Sequence, residues 1–172
     1  MRAVRRKPPV KVLAMRDKPL AFFLTWSCYG CWLPGDDRGY VDREHNQYGR
    51  PRLEPRPRLA EFVLKNLADP PFALSNRARE MVAQAIRDHC LRRDWFLFAQ
   101  NVRTTHVHVV VEARDHGPEV VLDQFKAWAT RRLREAGVLN PAHRAWTRHG
   151  STIYVFDEAT LKSKIDYVLN AQ

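Results

Sequence analysis

The sequence predicts an α+β fold, because strand-like and helix-like patterns alternate along a single chain of 172 residues. The strand-like runs are rich in β-branched and aromatic residues, and the helix-like runs repeat their apolar residues every three to four positions. An apolar fraction of 45% is enough for a buried core. We expect a flexible basic arm at residues 1–18, followed by a single domain at residues 19–172.

The net charge of +10 predicts a polyanionic partner. We expect nucleic acid, with an anionic membrane surface as the weaker alternative, and the basic arm either contacts phosphates or only keeps the chain in solution. The sequence contains no apolar run of about 18 residues and no secretory leader, and its small, odd number of cysteines suits a reducing compartment. We therefore expect a cytoplasmic, nucleoid-associated protein that does not insert into membranes.

The first strand is expected at residues 20–26, and residues 27–57 form a long loop rich in Gly and Pro. Loops longer than about 15 residues are usually functional. Aromatic residues and arginines interleave here, as they do in proteins that stack the bases and contact the phosphates of single strands. An ordinary packed lid is the other interpretation. The DNA contacts that we predict in this loop are Trp32, Arg38, Tyr40, Arg43 and Arg50.

The same loop contains Cys28 and Cys31, which have the spacing of a zinc knuckle. A structural zinc site needs four ligands, and no second cysteine pair follows. A redox role is also disfavoured, because Pro34 and Gly35 prevent a helix from starting after the pair. We predict structural roles for both cysteines.

Two helices are predicted before the next strand. The first spans residues 58–68 and ends at a Pro-Pro pair. The second begins after Ser75, a good N-cap residue, and runs to about Arg92. His89 continues the apolar stripe of this second helix, so we expect it at the edge of the core and not in a metal site.

A β-hairpin follows, with strands at residues 95–102 and 105–113 and a turn at Arg103 and Thr104. The next helix ends near Gly137. A basic loop at residues 140–150, a strand at 151–156 and a final helix capped by Asp157 complete the chain. The basic residues that we expect on a solvated face of the helix before Gly137 are Lys126, Arg131, Arg132 and Arg134.

Without the arm, the short helix at residues 58–68 and the final helix, this order is β-α-β-β-α-β, which is the ferredoxin-like, or RRM-like, arrangement. Such a sheet is open on one face. The final helix carries Tyr167 and is able to pack across that face.

The most informative residues are His106 and His108, which stand two apart in a run of valines. Alternate side chains of a strand share a face, so both imidazoles point one way while Val107 and Val109 point into the core. Two neutral imidazoles on one face are suited to a divalent metal ion. The alternative is a pair of half-exposed surface histidines.

The chain resembles the HUH endonuclease superfamily, and within it the REP-associated tyrosine transposases and the small single-tyrosine transposases of insertion sequences. The resemblance rests on the run Thr105–Val111, on the single tyrosine of the run Ile165–Asn170, and on the segment from Leu24 to Gly39. It spans most of residues 20–172.

The resemblance implies an endonuclease and strand transferase that acts on single-stranded DNA with hairpin or palindromic ends. Tyr167 would be the nucleophile and would form a 5′-phosphotyrosine intermediate. His106 and His108 would hold Mg²⁺ or Mn²⁺, with Asn170 as the third ligand and Gln172 as the alternative. Further DNA contacts are expected from Arg103, Arg144 and Arg148.

Two other functions stay open. The chain could be a non-catalytic module that binds single-stranded nucleic acid, or an inactive, domesticated transposase. A histidine-triad hydrolase is excluded, because Val110 stands where the third histidine belongs. Insertion-sequence relatives are homodimers and REP-associated relatives act as monomers, so the resemblance leaves open whether Tyr167 acts in cis or in trans.

Overall fold

The computed structural model describes residues 18–42, 44–45 and 50–170. The predicted arm, apart from Lys18, and the site residues Arg43 and Gln172 lie outside these ranges. The elements are β1 (Ala21–Ser27), α1 (Pro57–Lys65), α2 (Asn76–Arg93), β2 (Phe96–Val102), β3 (His106–Glu112), α3 (Pro118–Glu135), β4 (Ser151–Val155) and α4 (Glu158–Asn170).

The four strands form one antiparallel sheet in the order β2-β3-β1-β4, which confirms the predicted α+β class. β3 and β1 are the inner strands, so the histidine strand is paired along both edges. Directly opposed residues of neighbouring strands share a face. One row across the sheet therefore contains Asn101, His108, Thr25 and Ser151.

The two faces of the sheet are covered by different helices. α2 and α3 cover the face that carries Leu24, Trp26, Val107 and Val109, each at most 1% exposed. α4 lies on the opposite face, where Val168 packs with apolar residues of the sheet. Burying one such aliphatic side chain contributes about 1.5–3 kcal/mol. The burial of Val107 and Val109 therefore fixes which face of β3 is left for His106 and His108.

Local signals set three helix ends where the sequence predicts them, whereas α1 ends at Lys65 and not at residue 68. The Ser75 hydroxyl accepts a hydrogen bond from the backbone N–H of Ala78 (3.2 Å), and the Asp157 carboxylate accepts one from the backbone N–H of Thr160 (2.8 Å). Gly137 has φ +67°, a backbone conformation that favours glycine after a helix.

Lys126 is not on the solvated basic face that the sequence predicts for α3. Its side chain is buried at 7% exposure, and Nζ donates to the carbonyl oxygens of Thr147, Arg148 and His149 at 3.0, 3.3 and 3.2 Å. The charge pattern could not reveal this, because the three acceptors come from a loop more than twenty residues away. Lys126 thus joins α3 to the loop that leads into β4 through three hydrogen bonds.

His89 lies deeper than the core edge expected for it. It is 2% exposed and packs against Trp95, Phe125 and Trp128. Its Nε2 pairs with Gln124 Oε1 at 2.8 Å, and burial lowers the pKa of the imidazole below its ordinary value. This environment is that of a core histidine.

Candidate active site

His106 and His108 lie at the start of β3, on the face opposite the valine core. Their ring centroids are 4.8 Å apart. His108 is buried at 6% exposure, and His106 is half-buried. The pair is therefore adjacent in space as well as in sequence, at the point where the helical cover of this face ends.

A threonine hydroxyl orients each imidazole. Thr25 Oγ1, the cross-strand neighbour on β1, lies 2.8 Å from His108 Nδ1, and Thr105 Oγ1 lies 3.1 Å from His106 Nδ1. When Nδ1 carries the proton and donates it to the hydroxyl, the lone pair of Nε2 is the one directed at a cation. Sequence reasoning missed Thr25, although one hydroxyl in an apolar strand was a detectable signal.

Tyr167 reaches this pair because α4 crosses the same face of the sheet. The Tyr167 ring lies 5.6 Å from the His108 ring, with the two planes at 83°, and 6.0 Å from the Phe23 ring. The side chain is 43% exposed, while the next residue, Val168, is fully buried. The phenol is therefore held beside the histidines with solvent access.

Asn101 holds α4 in place. Its side-chain Nδ2 donates to the backbone oxygen of Val168 at 2.9 Å, and its position on β2 is opposite His108. The carbonyls of a last helical turn lack intrahelical partners, so this bond satisfies one of them. Asn101 links the tyrosine helix to the histidine row, and no local pattern could have identified it.

Lys164 adds a positive charge to this face. Its Nζ lies 5.0 Å from the centroid of Phe23, whose ring is stacked 5.8 Å from His108. Lys164 precedes Tyr167 by three residues, which places both on one side of α4. A phosphate bound between Tyr167 and the histidines would approach this ammonium group.

The donor set fits a weakly held divalent cation. In the part of the chain that the structure describes, no group of three His, Cys, Asp or Glu residues is placed to hold a metal ion. Two imidazoles with hydrogen-bonded Nδ1 atoms are nevertheless a recognised partial set, which waters or phosphate oxygens complete. Asn170 is exposed in the last turn of α4, three residues beyond Tyr167, so its amide oxygen is the predicted third donor.

Two basic loops lie at the same end of the sheet as His106. Cys28 N donates to Thr105 O (2.7 Å) and Thr147 N donates to Ser27 O (3.0 Å), and Ser27 pairs with His106. These bonds bring the turn of Arg103 and the loop of Arg148 together. Arg103 is half-buried and Arg148 is exposed, and their DNA contacts stay predictions.

Three of the other predicted DNA contacts have internal partners. Arg38 donates through Nε and Nη2 to the two oxygens of Asp36 (2.7 Å each), and its guanidinium holds the pKa of that carboxyl well below its ordinary range. Arg144 pairs with Asp69 (3.4 Å). Trp32 donates to the Gly39 carbonyl (2.9 Å). Arg50 is exposed.

Tyr40 is packed inside this loop. It is 6% exposed and its backbone pairs with Leu53. A base needs an open ring face for stacking. Tyr40 therefore lacks such a face in this structure, and its DNA contact stays a prediction.

Cys28 and Cys31 have the surroundings of structural cysteines. Cys28 is fully buried, and burial raises the pKa of its thiol to about 12. Cys31 Sγ donates to the Phe72 carbonyl at 3.3 Å, and burial raises the pKa of this thiol as well. Thiols in this state are poor nucleophiles and poor metal ligands.

No helix among the described residues is long and apolar enough to cross a membrane.

Comparison with known proteins finds no matching family model and no matching curated protein. Several solved structures are similar to this chain, and two of them are described here. One is a REP-associated tyrosine transposase bound to a REP hairpin, with 12% identity over 98% of this chain and 70% of that one and a TM-score of 0.47. The other is a candidate transposase from Deinococcus radiodurans R1, with 15% identity over 99% of this chain and 97% of that one and a TM-score of 0.46. Similarity at this level leaves activity and substrate to be argued from the chain's own residues.

Proposed function

We propose that this chain is a tyrosine transposase that cleaves and rejoins single-stranded DNA. The observation that carries the proposal is the position of Tyr167, a solvent-accessible phenol whose ring lies 5.6 Å from that of His108. An exposed tyrosine elsewhere on a helix would be unremarkable chemically. Beside two oriented imidazoles and a lysine, it has the surroundings of a nucleophile for a phosphodiester.

The proposed step is an exchange of one phosphoester bond for another. Tyr167 Oη attacks phosphorus, the bond from phosphorus to the 3′ oxygen breaks, and the phenolic proton is balanced by the proton that the 3′ oxygen takes up. The products are a 5′-phosphotyrosine and a 3′-hydroxyl. Because the bond energy is retained, a 3′-hydroxyl of another strand reverses the step without ATP.

His106 and His108 would hold Mg²⁺ or Mn²⁺ through Nε2, with Asn170 contributing an amide oxygen. Such an ion supplies polarisation of the scissile phosphate and neutralises its developing charge. Thr25 and Thr105 would fix the two rings, and Lys164 would stabilise negative charge on the other side of the phosphate. Arg103 and Arg148 would bind the flanking backbone.

The test is covalent capture. The protein is incubated with Mn²⁺ and a labelled pool of single-stranded DNA hairpins with randomised flanks, and then denatured. We expect a labelled protein adduct that is lost in Tyr167→Phe and strongly reduced in His106→Ala, because one of the two imidazole ligands is then missing. Tyr154→Phe is the matched control, because Tyr154 is 47% exposed but pairs with Phe22 on the other face of the sheet.

An adduct that persists in Tyr167→Phe would overturn the proposed nucleophile. If the pool binds but yields no adduct, the chain is the non-catalytic DNA-binding module or the inactive transposase. Loss of the adduct in both tyrosine variants would mean that unfolding, and not chemistry, explains the effect.

A further inference from the structure

A groove runs along the outer edge of the sheet, between α2 and the edge strand β2. It is a shallow, open depression of about 390 Å³. α2 contributes Arg79 and Arg87, and β2 contributes Gln100 and Asn101. None of these residues except Asn101 touches the candidate active site.

The groove carries two guanidinium groups without a carboxylate partner in the described residues. Arg79 donates to the amide oxygen of Asn76, and Arg87 donates to that of Gln84 (2.7 Å through Nη2). Neutral acceptors leave the positive charges uncompensated. Glu80 is the one acidic residue in the lining and opposes them only in part.

The spacing of the two arginines suits a strand of nucleic acid. They are eight residues apart on one helix, which corresponds to about 12 Å along its axis. Consecutive phosphates of one strand are closer than this, so the two groups are able to bind different phosphates of a single segment.

Asn101 connects the groove to the candidate active site. It lines the groove, its backbone is opposite His108, and its side chain binds the carbonyl next to Tyr167. A DNA strand that leaves Tyr167 and passes over the edge of β2, towards the face that α2 covers, would enter this groove.

We propose that this groove binds the sugar-phosphate backbone of the single strand on one side of the scissile phosphate, through Arg79 and Arg87. The proposal extends the function proposed above and rests on it for the path of the strand. The ligand class is an extended single-stranded polynucleotide, and a protein strand that pairs with β2 is the competing occupant.

The experiment measures binding without cleavage. The Tyr167→Phe chain is titrated in EDTA with fluorescent DNA hairpins that carry an oligo-dT flank on the 5′ side, on the 3′ side or on neither. The variant Arg79→Ala/Arg87→Ala is compared with Arg77→Ala/Arg93→Ala, which removes the same charge from exposed positions of α2 outside the groove. Arg79→Lys/Arg87→Lys tests whether charge alone is needed, and circular dichroism verifies folding.

We expect the groove variant to bind at least about tenfold more weakly, but only to hairpins that carry one of the two flanks. Its slope of log K against log salt should fall by about 1.4, which is the loss of two phosphate contacts to a single strand. The Arg77/Arg93 variant should keep nearly the parental slope. Equal losses in both variants, or a loss on hairpins without a flank, would overturn the groove as a strand-binding site.

The outcome is independent of the chemistry at Tyr167. A flank-specific loss without any covalent adduct from the active chain would support the groove and reject the transposase. An adduct that depends on Tyr167, together with no flank-specific loss, would support the transposase and reject the groove as a strand-binding site.

Discussion

At the scale of single residues, Thr25 has the clearest chemical role beside the predicted ones. Its hydroxyl lies 2.8 Å from His108 Nδ1 and sets the orientation of a ring that is almost fully buried. Replacing it with valine keeps the shape and removes the hydrogen bond.

We expect Thr25→Val to lower the apparent affinity for Mn²⁺ by about 10- to 100-fold, the usual cost of losing such a partner. The measurement is the Mn²⁺ concentration dependence of adduct formation. Thr152→Val is the control, since Thr152 lies on the other face of the sheet and bonds Glu119. An equal loss in the control would rule out the orienting role.

Lys126 is the second residue whose environment decides its role. Burial lowers the pKa of its ammonium group, yet three carbonyl oxygens surround the charge. Lys126→Met should lower the free energy of unfolding by about 1–3 kcal/mol, because the carbonyls lose their donor. Urea denaturation measures this, and Lys162→Met, at an exposed site of α4, should change it by less than about 0.5 kcal/mol. An unchanged free energy of unfolding in Lys126→Met would show that these hydrogen bonds do not stabilise the contact between α3 and the loop.

At the scale of elements, α4 depends on the sheet for its stability. A helix of 13 residues is marginal in isolation. Val168→Ala removes buried methyl groups and should destabilise the docked helix by about 1–3 kcal/mol. Hydrogen exchange should then quicken in α4 more than in α2, whereas Leu169→Ala, at a site 58% exposed, should leave α4 protected. Uniform exchange in both variants would show that α4 opens only with the whole domain.

The loop after β1 is held by the ion pair of Asp36 and Arg38. A carboxyl whose folded pKa lies below its ordinary value of 3.8 contributes stability above that value and loses it as the pH falls through the folded pKa. Asp36→Asn should therefore cost on the order of 1 kcal/mol at neutral pH, and the difference should shrink below about pH 4. Unfolding curves of both chains across this range measure it. A difference that stays constant with pH would exclude the ion pair as its cause.

At the scale of the whole molecule, the net charge of +10 predicts that the proposed DNA binding depends on salt. Arg148 is exposed in the loop beside His106. Arg148→Ala should lower the slope of log K against log salt by about 0.7, equal to one single-strand phosphate contact. Arg58→Ala, on α1, should not change it. Fluorescence titration over a range of salt concentrations gives both slopes. A slope for Arg148→Ala equal to that of the parental chain would show that Arg148 does not contact a phosphate.

The elements and their order could be predicted from the sequence because their causes are local. Ser75, Asp157 and Gly137 act on backbone groups within a few residues, and the period of two places His106 and His108 on one face whatever the partner strands are. The predicted metal ligands and the role of Tyr167 stay predictions, since they concern chemistry that needs the bound substrate.

What the tertiary structure alone decided is which distant residues meet that face. The docking of α4 put Tyr167 beside His108, and strand pairing put Thr25 and Asn101 on either side of the same imidazole. Long-range packing likewise buried Lys126 and Tyr40, which the charge and aromatic patterns had placed at the surface. The physical reason is that periodicity determines the direction of a side chain relative to its own element, whereas its neighbours depend on the burial and pairing of segments far apart in the chain.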